Sequence, residues 1–288
     1  MSEICKNWST WLKKTRFSYM DELQVQQTLN WLFSIRDEVI SLADIKEGNK
    51  VVDFGCGSGL IGFGVLEKFE DKVELTFSDK FIDCIDECQK ILETMDTKTN
   101  VKFLQTDISD IKLENDCIDR AMTRSVLVHV KEKQPVFNEL YRVLKQGGIY
   151  ASFEPIISQN TRYYELLLPE QISDYFEFKK AEKEFMENPN DPLVNFTGQS
   201  LEDNLKTAGF SDVNVDVKIT RSEYVAKSEA IKNWFITPPA PDQKTMKERF
   251  LEYFDEKKVD NFINEVTLAL NDKTVKIQAK TAFIKAIK

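Results

Sequence analysis

The sequence predicts an α/β protein built on a mostly parallel sheet with helices on both faces. Three observations carry that reading. From Lys50 onward, short apolar runs alternate with helical stretches, and strands that alternate with helices imply right-handed crossovers and parallel pairing. One apolar run, Val51-Val52-Asp53-Phe54, leads straight into Gly55, Gly57 and Gly59 and then a helix. The chain has 288 residues, 42% hydrophobic and 30% charged, which suits one core domain with added segments and excludes a disordered chain.

The elements follow in order. Residues 1–45 read as helical, because Leu32, Ile35, Val39 and Leu42 recur at three-four-three spacing and draw an apolar stripe. An aromatic lead precedes the stripe, with Trp8, Trp11, Phe17 and Tyr19 among Lys13, Lys14 and Arg16. Gly48 and Asn49 punctuate the chain before the first strand. Residues 59–68 read as a helix, 73–79 as an alternating strand, and 81–95 as a helix carrying Ile82, Ile85 and Ile91. Strands follow at 101–105 and 118–123. A helix over 131–145 is expected to stop at Gly147-Gly148, ahead of a fifth strand at 149–153.

After Glu154-Pro155 the rhythm breaks into an aromatic and acidic tract, 157–198. It resumes with a helix at 200–208 closed by Gly209 and a strand near 213–219. A second irregular tract contains Thr237-Pro238-Pro239-Ala240, which reads as a rigid loop, and 276–287 reads as a closing strand. The expected organisation is a helical lid segment at 1–47 and a core at 48–156. A cap insertion at 157–198 is followed by core again at 199–220, a second cap insertion at 221–272, and a closing strand of the core at 273–288. The additions are expected over the C-terminal strand edges, where open α/β sheets bind ligands.

Acidic residues outnumber basic ones 48 to 39, for a net charge of -9, and no Lys/Arg run forms a basic groove, so nucleic acid is not an expected partner. No apolar run is long enough for a transmembrane helix, and the N-terminus lacks a signal-peptide layout. A cytoplasmic protein with no membrane partner is expected. The five cysteines lack CxxC spacing and read as reduced, buried thiols, with no metal site.

The chemistry concentrates at the glycine turn. Glycines there let the backbone turn tightly and approach a ligand, and the following helix offers free N–H groups. Asp79, twenty residues after Gly59, ends the second strand, where a carboxylate can accept from both hydroxyls of a ribose. Asp107 follows the third strand and can accept from an adenine amino group. Gly57-Ser58-Gly59-Leu60-Ile61-Gly62 fits GxGxxG, so a dinucleotide or S-adenosylmethionine (SAM) could occupy such a turn. SAM is favoured by Asp53, whose carboxylate can attract a methionyl ammonium but would repel a pyrophosphate. It is favoured also by Asp107 and by the lack of any sign of a second nucleotide half.

Val51 to Gly59 resembles motif I of class I SAM-dependent methyltransferases, Asp79 their acidic residue after the second strand, and Thr106-Asp107-Ile108 their adenine-side motif. Thr123 to Leu127, Phe137 to Gly148 and Phe153-Glu154-Pro155 resemble the fourth strand, helix and fifth strand of the methyltransferase-11 (UbiE-like) branch. The resemblance covers about residues 48–156. It implies a Rossmann-like seven-stranded sheet of order 3-2-1-4-5-7-6 with the last strand antiparallel. It also implies SAM as cofactor, S-adenosylhomocysteine as product, and contacts from Asp53, Gly55, Gly57, Asp79, Asp107, Ile108 and the backbone at Arg124. Cys56, Gly59, Lys80 and Ser125 are adjoining candidates, with Lys80 making the adenine edge polar.

Methyl transfer from a sulfonium is an in-line displacement that needs alignment and no acid for the leaving group. A base is needed only if the acceptor holds its proton tightly. His129, the one histidine, lies just beyond the fourth strand and is the candidate base; Glu154, at the end of the fifth, is the candidate substrate-orienting carboxylate. The bland readings are a packing or surface histidine and a locally paired acid. Arg16 and Tyr19 can close over SAM, Arg16 reaching its carboxylate. Tyr163, Tyr164, Trp234 and Phe235 are candidate walls of an apolar substrate pocket, or else core. The expected activity is methylation of a small, partly apolar molecule. The alternatives are an NAD-dependent oxidoreductase on the same turn and a non-catalytic SAM-binding regulator.

Overall fold

The computed structural model describes residues 3–15, 22–95, 101–238 and 243–288. In chain order it contains α1 (Glu3–Thr15), α2 (Glu22–Ala43), β1 (Lys50–Phe54), α3 (Leu60–Phe69), β2 (Glu74–Asp79), α4 (Ile82–Glu93), β3 (Val101–Gln105), β4 (Ile118–Arg124) and α5 (Lys133–Val143). There follow β5 (Leu144–Pro155), α6 (Tyr175–Met186), α7 (Gly198–Ala208), β6 (Asp212–Val225), α8 (Ser228–Ile236), α9 (Met246–Phe250), α10 (Glu256–Leu270) and β7 (Thr274–Ile287).

The strands form one sheet in the order β3-β2-β1-β4-β5-β7-β6, as expected. β1 pairs in parallel with β2 and β4, β2 with β3, and β4 with β5. β7 runs antiparallel to β5, since Gly147 N–H donates to the Lys288 carbonyl and Lys288 N–H to the Gly148 carbonyl. Its bonds to β6 also run in reverse, from Ser211 with Ile287 to Ala226 with Lys273.

The chain divides into two compact units, the boundaries falling inside β6 and β7. The first comprises Met1–Pro155, Thr197–Val217 and Ala282–Lys288. Its core sets the predicted stripe of α2 against α3 and the sheet. Leu32, Ile35 and Val39 are buried in one cluster with Leu60, Phe63, Leu66, Leu75 and Phe77, and Leu42 packs against it. Trp8 joins the same cluster, so α1 is bound into this unit.

One expected boundary moves. The helix before β5 ends at Val143, and the Leu144 N–H closes it on the Leu140 carbonyl. Gly147 and Gly148 then lie inside β5 rather than at a helix end. Gly147 has φ 75, and the β4–β5 register slips between Ile118, opposite Leu144, and Arg120, opposite Ile149. The glycine pair is therefore a strand irregularity, which a left-handed residue permits. Gly209, by contrast, does cap α7 in a left-handed conformation, its N–H reaching the Leu205 and Lys206 carbonyls.

The second unit comprises Ile156–Phe196 and Lys218–Thr281. Its sequence reads as irregular but contains α6, α8, α9 and α10. Apolar residues at helical spacing bury one face of each long helix: Phe178, Ala181 and Phe185 on α6, and Val259, Phe262, Ile263, Val266 and Leu270 on α10. Phe178 stacks on Phe262 with centroids 3.8 Å apart, and Phe250 packs edge-on against both. Asp255 and Thr245 cap α10 and α9 by accepting from the Lys258 and Glu248 N–H groups.

Candidate functional site

The first unit brings most of the sequence-predicted residues to one place, the C-terminal ends of β1 to β5. The turn after β1 is held by short backbone bonds. Cys56 N–H donates to the Ser78 carbonyl at 2.9 Å and Gly59 N–H to the Cys56 carbonyl at 2.7 Å. Gly57 has φ 51, and a Cβ built there meets nothing within 4 Å. The left-handed backbone explains glycine, and the open space above it is where a ligand can lie against bare backbone. Gly62 serves packing instead, because a Cβ there would stand 2.1 Å from the Phe77 ring. Beneath the turn the Cys56 and Cys88 sulfurs are 3.9 Å apart, and the Cys88 thiol donates to the Gly57 carbonyl at 3.2 Å. The contact with Cys88, together with burial, pushes the Cys56 thiol far up, so it is an inert packing thiol.

The three spaced acids differ in their surroundings. Asp53 is 1% exposed and accepts from Gly62 N–H at 2.9 Å, under the turn. Burial pushes its carboxyl up to about 7, against the opposing pull of Gly62 N–H and Arg124. Asp53 thereby secures the turn to α3. Asp79 accepts from Gly57 N–H and from Phe81 N–H, both at 3.0 Å, one on each oxygen. Each oxygen keeps a second lone pair, so the carboxylate can still accept from two hydroxyls. Asp107 accepts from Ser109 N–H and hydroxyl, at 2.9 and 2.7 Å, and pairs with Lys80 at 3.0 Å. Partial burial pushes its carboxyl up, but the bonds from Ser109 and Lys80 outweigh this and hold it below the ordinary range. Lys80 is thus a partner of Asp107, and Ile108 is buried beside it.

The fourth and fifth strand ends are tied together. Ser125 stands at φ 55 and donates its N–H to the Phe153 carbonyl at 2.8 Å. Glu154 is fully buried and accepts from Val126 and Leu127 N–H at 3.0 and 3.2 Å, and from the Ser152 hydroxyl at 3.3 Å. Burial pushes its carboxyl up to about 7, with these bonds and Arg124 opposing. That corrects its expected role: Glu154 faces the backbone of the loop after β4, not a substrate. His129 closes the short 3-10 turn Leu127–His129 and is exposed.

These features can be set beside known proteins. A family model described as "Methyltransferase domain" matches residues 45–208, more than half of the chain. The chain belongs to that methyltransferase domain family. Among curated relatives, phosphoethanolamine N-methyltransferase 3 of Arabidopsis thaliana is 30% identical over 112 residues, covering 38% of this chain and 22% of that protein. The sterol 24-C-methyltransferase erg6 of Aspergillus fumigatus is 28% identical over 110 residues, covering 38% and 29%. The chain thus spans less than a third of the length of either. The fold of phosphoethanolamine N-methyltransferase 2 from Haemonchus contortus, solved with phosphomonomethylethanolamine and S-adenosylhomocysteine, superposes with a TM-score of 0.53 at 17% identity. The match covers 98% of this chain and 60% of that one. The expected methyltransferase family is therefore met, and the nicotinamide alternative has no support in these likenesses.

In this methyltransferase domain the fit to SAM rests on the open face of Gly57 and the spare lone pairs of Asp79. Arg16 and Tyr19 lie outside the described residues. Of two tryptophans near these strand ends, the sequence places Trp8 in the aromatic lead and does not single out Trp31. Trp8 donates its indole N–H to the Ser58 carbonyl at 2.8 Å, inside the glycine turn. Trp31, 52% exposed, stands edge-on to Phe153 at 6.3 Å, next to Glu154. A partly wetted tryptophan beside a strand end was readable only as part of the α2 face. The remaining candidates lie in the second unit. Tyr163 stacks on Trp234 at 6.0 Å and lies tilted against Phe235 at 4.6 Å, and its hydroxyl donates to the Trp234 carbonyl. Phe235 is completely buried and packs edge-on to Phe262. It is core, a correction to its expected place in a pocket wall. Tyr164 lines a cleft of this unit, with Lys179 over its ring.

Proposed function

We propose that this protein transfers the methyl group of SAM to a small, partly apolar molecule by in-line displacement. The observation that carries the reading is the meeting, at one sheet edge, of the open backbone at Gly57 with the accepting carboxylate of Asp79. Asp79 would take the ribose hydroxyls, Asp107 and Ile108 the adenine, and the Gly55 to Gly59 backbone the methionyl part. The cofactor, when bound, supplies an electrophilic methyl group on a positively charged sulfur. Asp53 and Glu154 both feel the field of Arg124, which opposes the effect of their burial.

The chain's own residues then supply position and dryness. Glu154 fixes the loop after β4 through Val126 and Leu127. Trp31 offers an apolar surface beside Phe153 for an acceptor. His129 is the candidate to take a proton where the acceptor holds one. Arg16 and Tyr19, from the N-terminal segment 1–47, are the candidates to close over the cofactor, while α1 and α2 of that segment pack into the core. Substrate choice belongs to the two insertions, Tyr164 included. The named relatives act on acceptors as different as phosphoethanolamine and a sterol, which fits a shared cofactor site with a variable acceptor site. Membership of the UbiE-like branch, a cytoplasmic setting and the absence of a nucleic-acid partner complete the reading. The -9 charge supports the last of these, and no described helix is long and apolar enough to cross a membrane.

Isothermal titration tests the cofactor. Saturable binding of SAM and S-adenosylhomocysteine is expected, and no binding at about millimolar ligand would remove the reading. Turnover of labelled SAM on a small-molecule cell extract separates an enzyme from a binding-only regulator.

A further inference from the structure

The second unit carries a cleft of about 420 Å³, a volume suited to a small metabolite. Its floor is pinned by β7: Thr161 N–H donates to the Gln278 carbonyl at 2.9 Å, Gln278 N–H to the Thr161 hydroxyl at 2.7 Å, and Lys280 N–H to the Asn160 side-chain oxygen at 2.9 Å. The lining is largely polar and includes two cations, Arg162 and Lys183. Arg162 gives one guanidinium N–H to the Ser158 carbonyl at 2.5 Å and pairs with no carboxylate within 4.0 Å among the described residues. Among the described residues its guanidinium makes no other hydrogen bond. Gln159, Asn160 and Gln278 line the same cleft.

Two carboxylates also line it, and both are engaged. Glu165 accepts from the Arg162 backbone N–H at 2.9 Å, and Glu187 lies 3.9 Å from Lys183. A guanidinium with unspent, coplanar donors in a concave site matches the geometry of a carboxylate or phosphate. We propose that this cleft binds the oxyanion end, carboxylate or phosphate, of a small metabolite, with Arg162 as its fork and Tyr164 as a wall for the organic part. The site lies wholly within the second unit and does not depend on the cofactor reading.

Isothermal titration of the full chain with inorganic phosphate and, separately, acetate tests the proposal. Saturable binding at about millimolar concentration is expected for at least one probe, and the tighter of the two identifies the source as a phosphate ester or a carboxylic acid. Arg162→Gln should weaken it about tenfold or more, and Arg162→Lys should fall between, because the charge survives without the fork. S-adenosylhomocysteine titration of each variant reports folding and the cofactor site separately. Unchanged probe binding by Arg162→Gln, or no saturable binding of either probe to the wild type, overturns the proposal.

Discussion

The indole N–H of Trp8 donates to the carbonyl of Ser58 at 2.8 Å, so the first helix of the chain is latched onto the middle of the glycine turn. Trp8 is 2% exposed and stands 5.7 Å from the Phe33 ring, which joins the latch to α2. Trp8→Phe keeps most of the packing and removes the donor. It should cost about 1 kcal/mol of stability and weaken S-adenosylhomocysteine binding several-fold. Thermal melts and titration read both effects; an unchanged affinity would mean that the turn holds its shape without α1.

Two glycines in one motif should fail in different ways. A Cβ at Gly62 would meet Phe77 at 2.1 Å, so Gly62→Ala should destabilise the fold by about 1–3 kcal/mol. A Cβ at Gly57 has open space, so Gly57→Ala carries only the left-handed backbone cost of about 1 kcal/mol but should largely abolish cofactor binding. Denaturant melts paired with titration separate the two. Equal losses of affinity at matched stability would argue that no ligand lies against Gly57.

Asp79→Ala removes the acceptor of Gly57 and Phe81 N–H and the proposed ribose contacts together. Charge-assisted bonds of this kind are worth about 1.5–3 kcal/mol each, so affinity should fall by at least about tenfold. Isothermal titration checks this, with circular dichroism as the control for folding.

Glu154 should behave as a positioning residue. Glu154→Ala strands the Val126 and Leu127 N–H groups, and both stability and cofactor affinity should fall, by about 2 kcal/mol in stability. Glu154→Gln retains one accepting oxygen and should recover much of the affinity while leaving the pH profile of turnover unchanged. A profile that loses a limb near neutral pH in Glu154→Gln would instead make this carboxyl a proton-transfer group.

Stability should decline as pH rises from about 4 to about 7. Asp53 and Glu154 in the first unit, and Glu182 in the second, all titrate near 7 when folded, against 3.8 or 4.5 ordinarily. Between those values the folded chain binds more protons than the unfolded chain, so the slope of stability with pH is negative. Above about 7 both states are ionised and the penalty, on the order of a few kcal/mol for each group, stays constant. Melting temperatures across that range test this. Asp53→Asn should flatten part of the slope, and a stability that rises with pH there would refute the assignment.

The sequence made the Rossmann-like core legible because its signals are local. Val51 to Gly59 announces a buried strand, a tight turn and a helix within one short run, and Asp79 and Asp107 follow at strand ends. The second unit was less legible. Its helices bury aromatic faces at helical spacing, yet Phe178, Phe235, Phe250 and Phe262 find one another only across long stretches of chain. The same distance hid the corrections. Glu154 ends a strand beside Phe153, and nothing near it in sequence marks Val126 and Leu127 as its partners.

By itself the sequence determined the alternation of strands and helices, the sheet order that its motif resemblance implied, and the edge at which the acids gather. Periodicity and glycine placement act over a few residues, so they can be read without coordinates. Only the tertiary structure decided what each acid does there. Asp53 and Glu154 turn inward to backbone donors, Asp79 keeps lone pairs to spare, and Asp107 is shared with Lys80. Burial and partner choice depend on groups brought from distant strands, and those set a carboxylate's charge and reach.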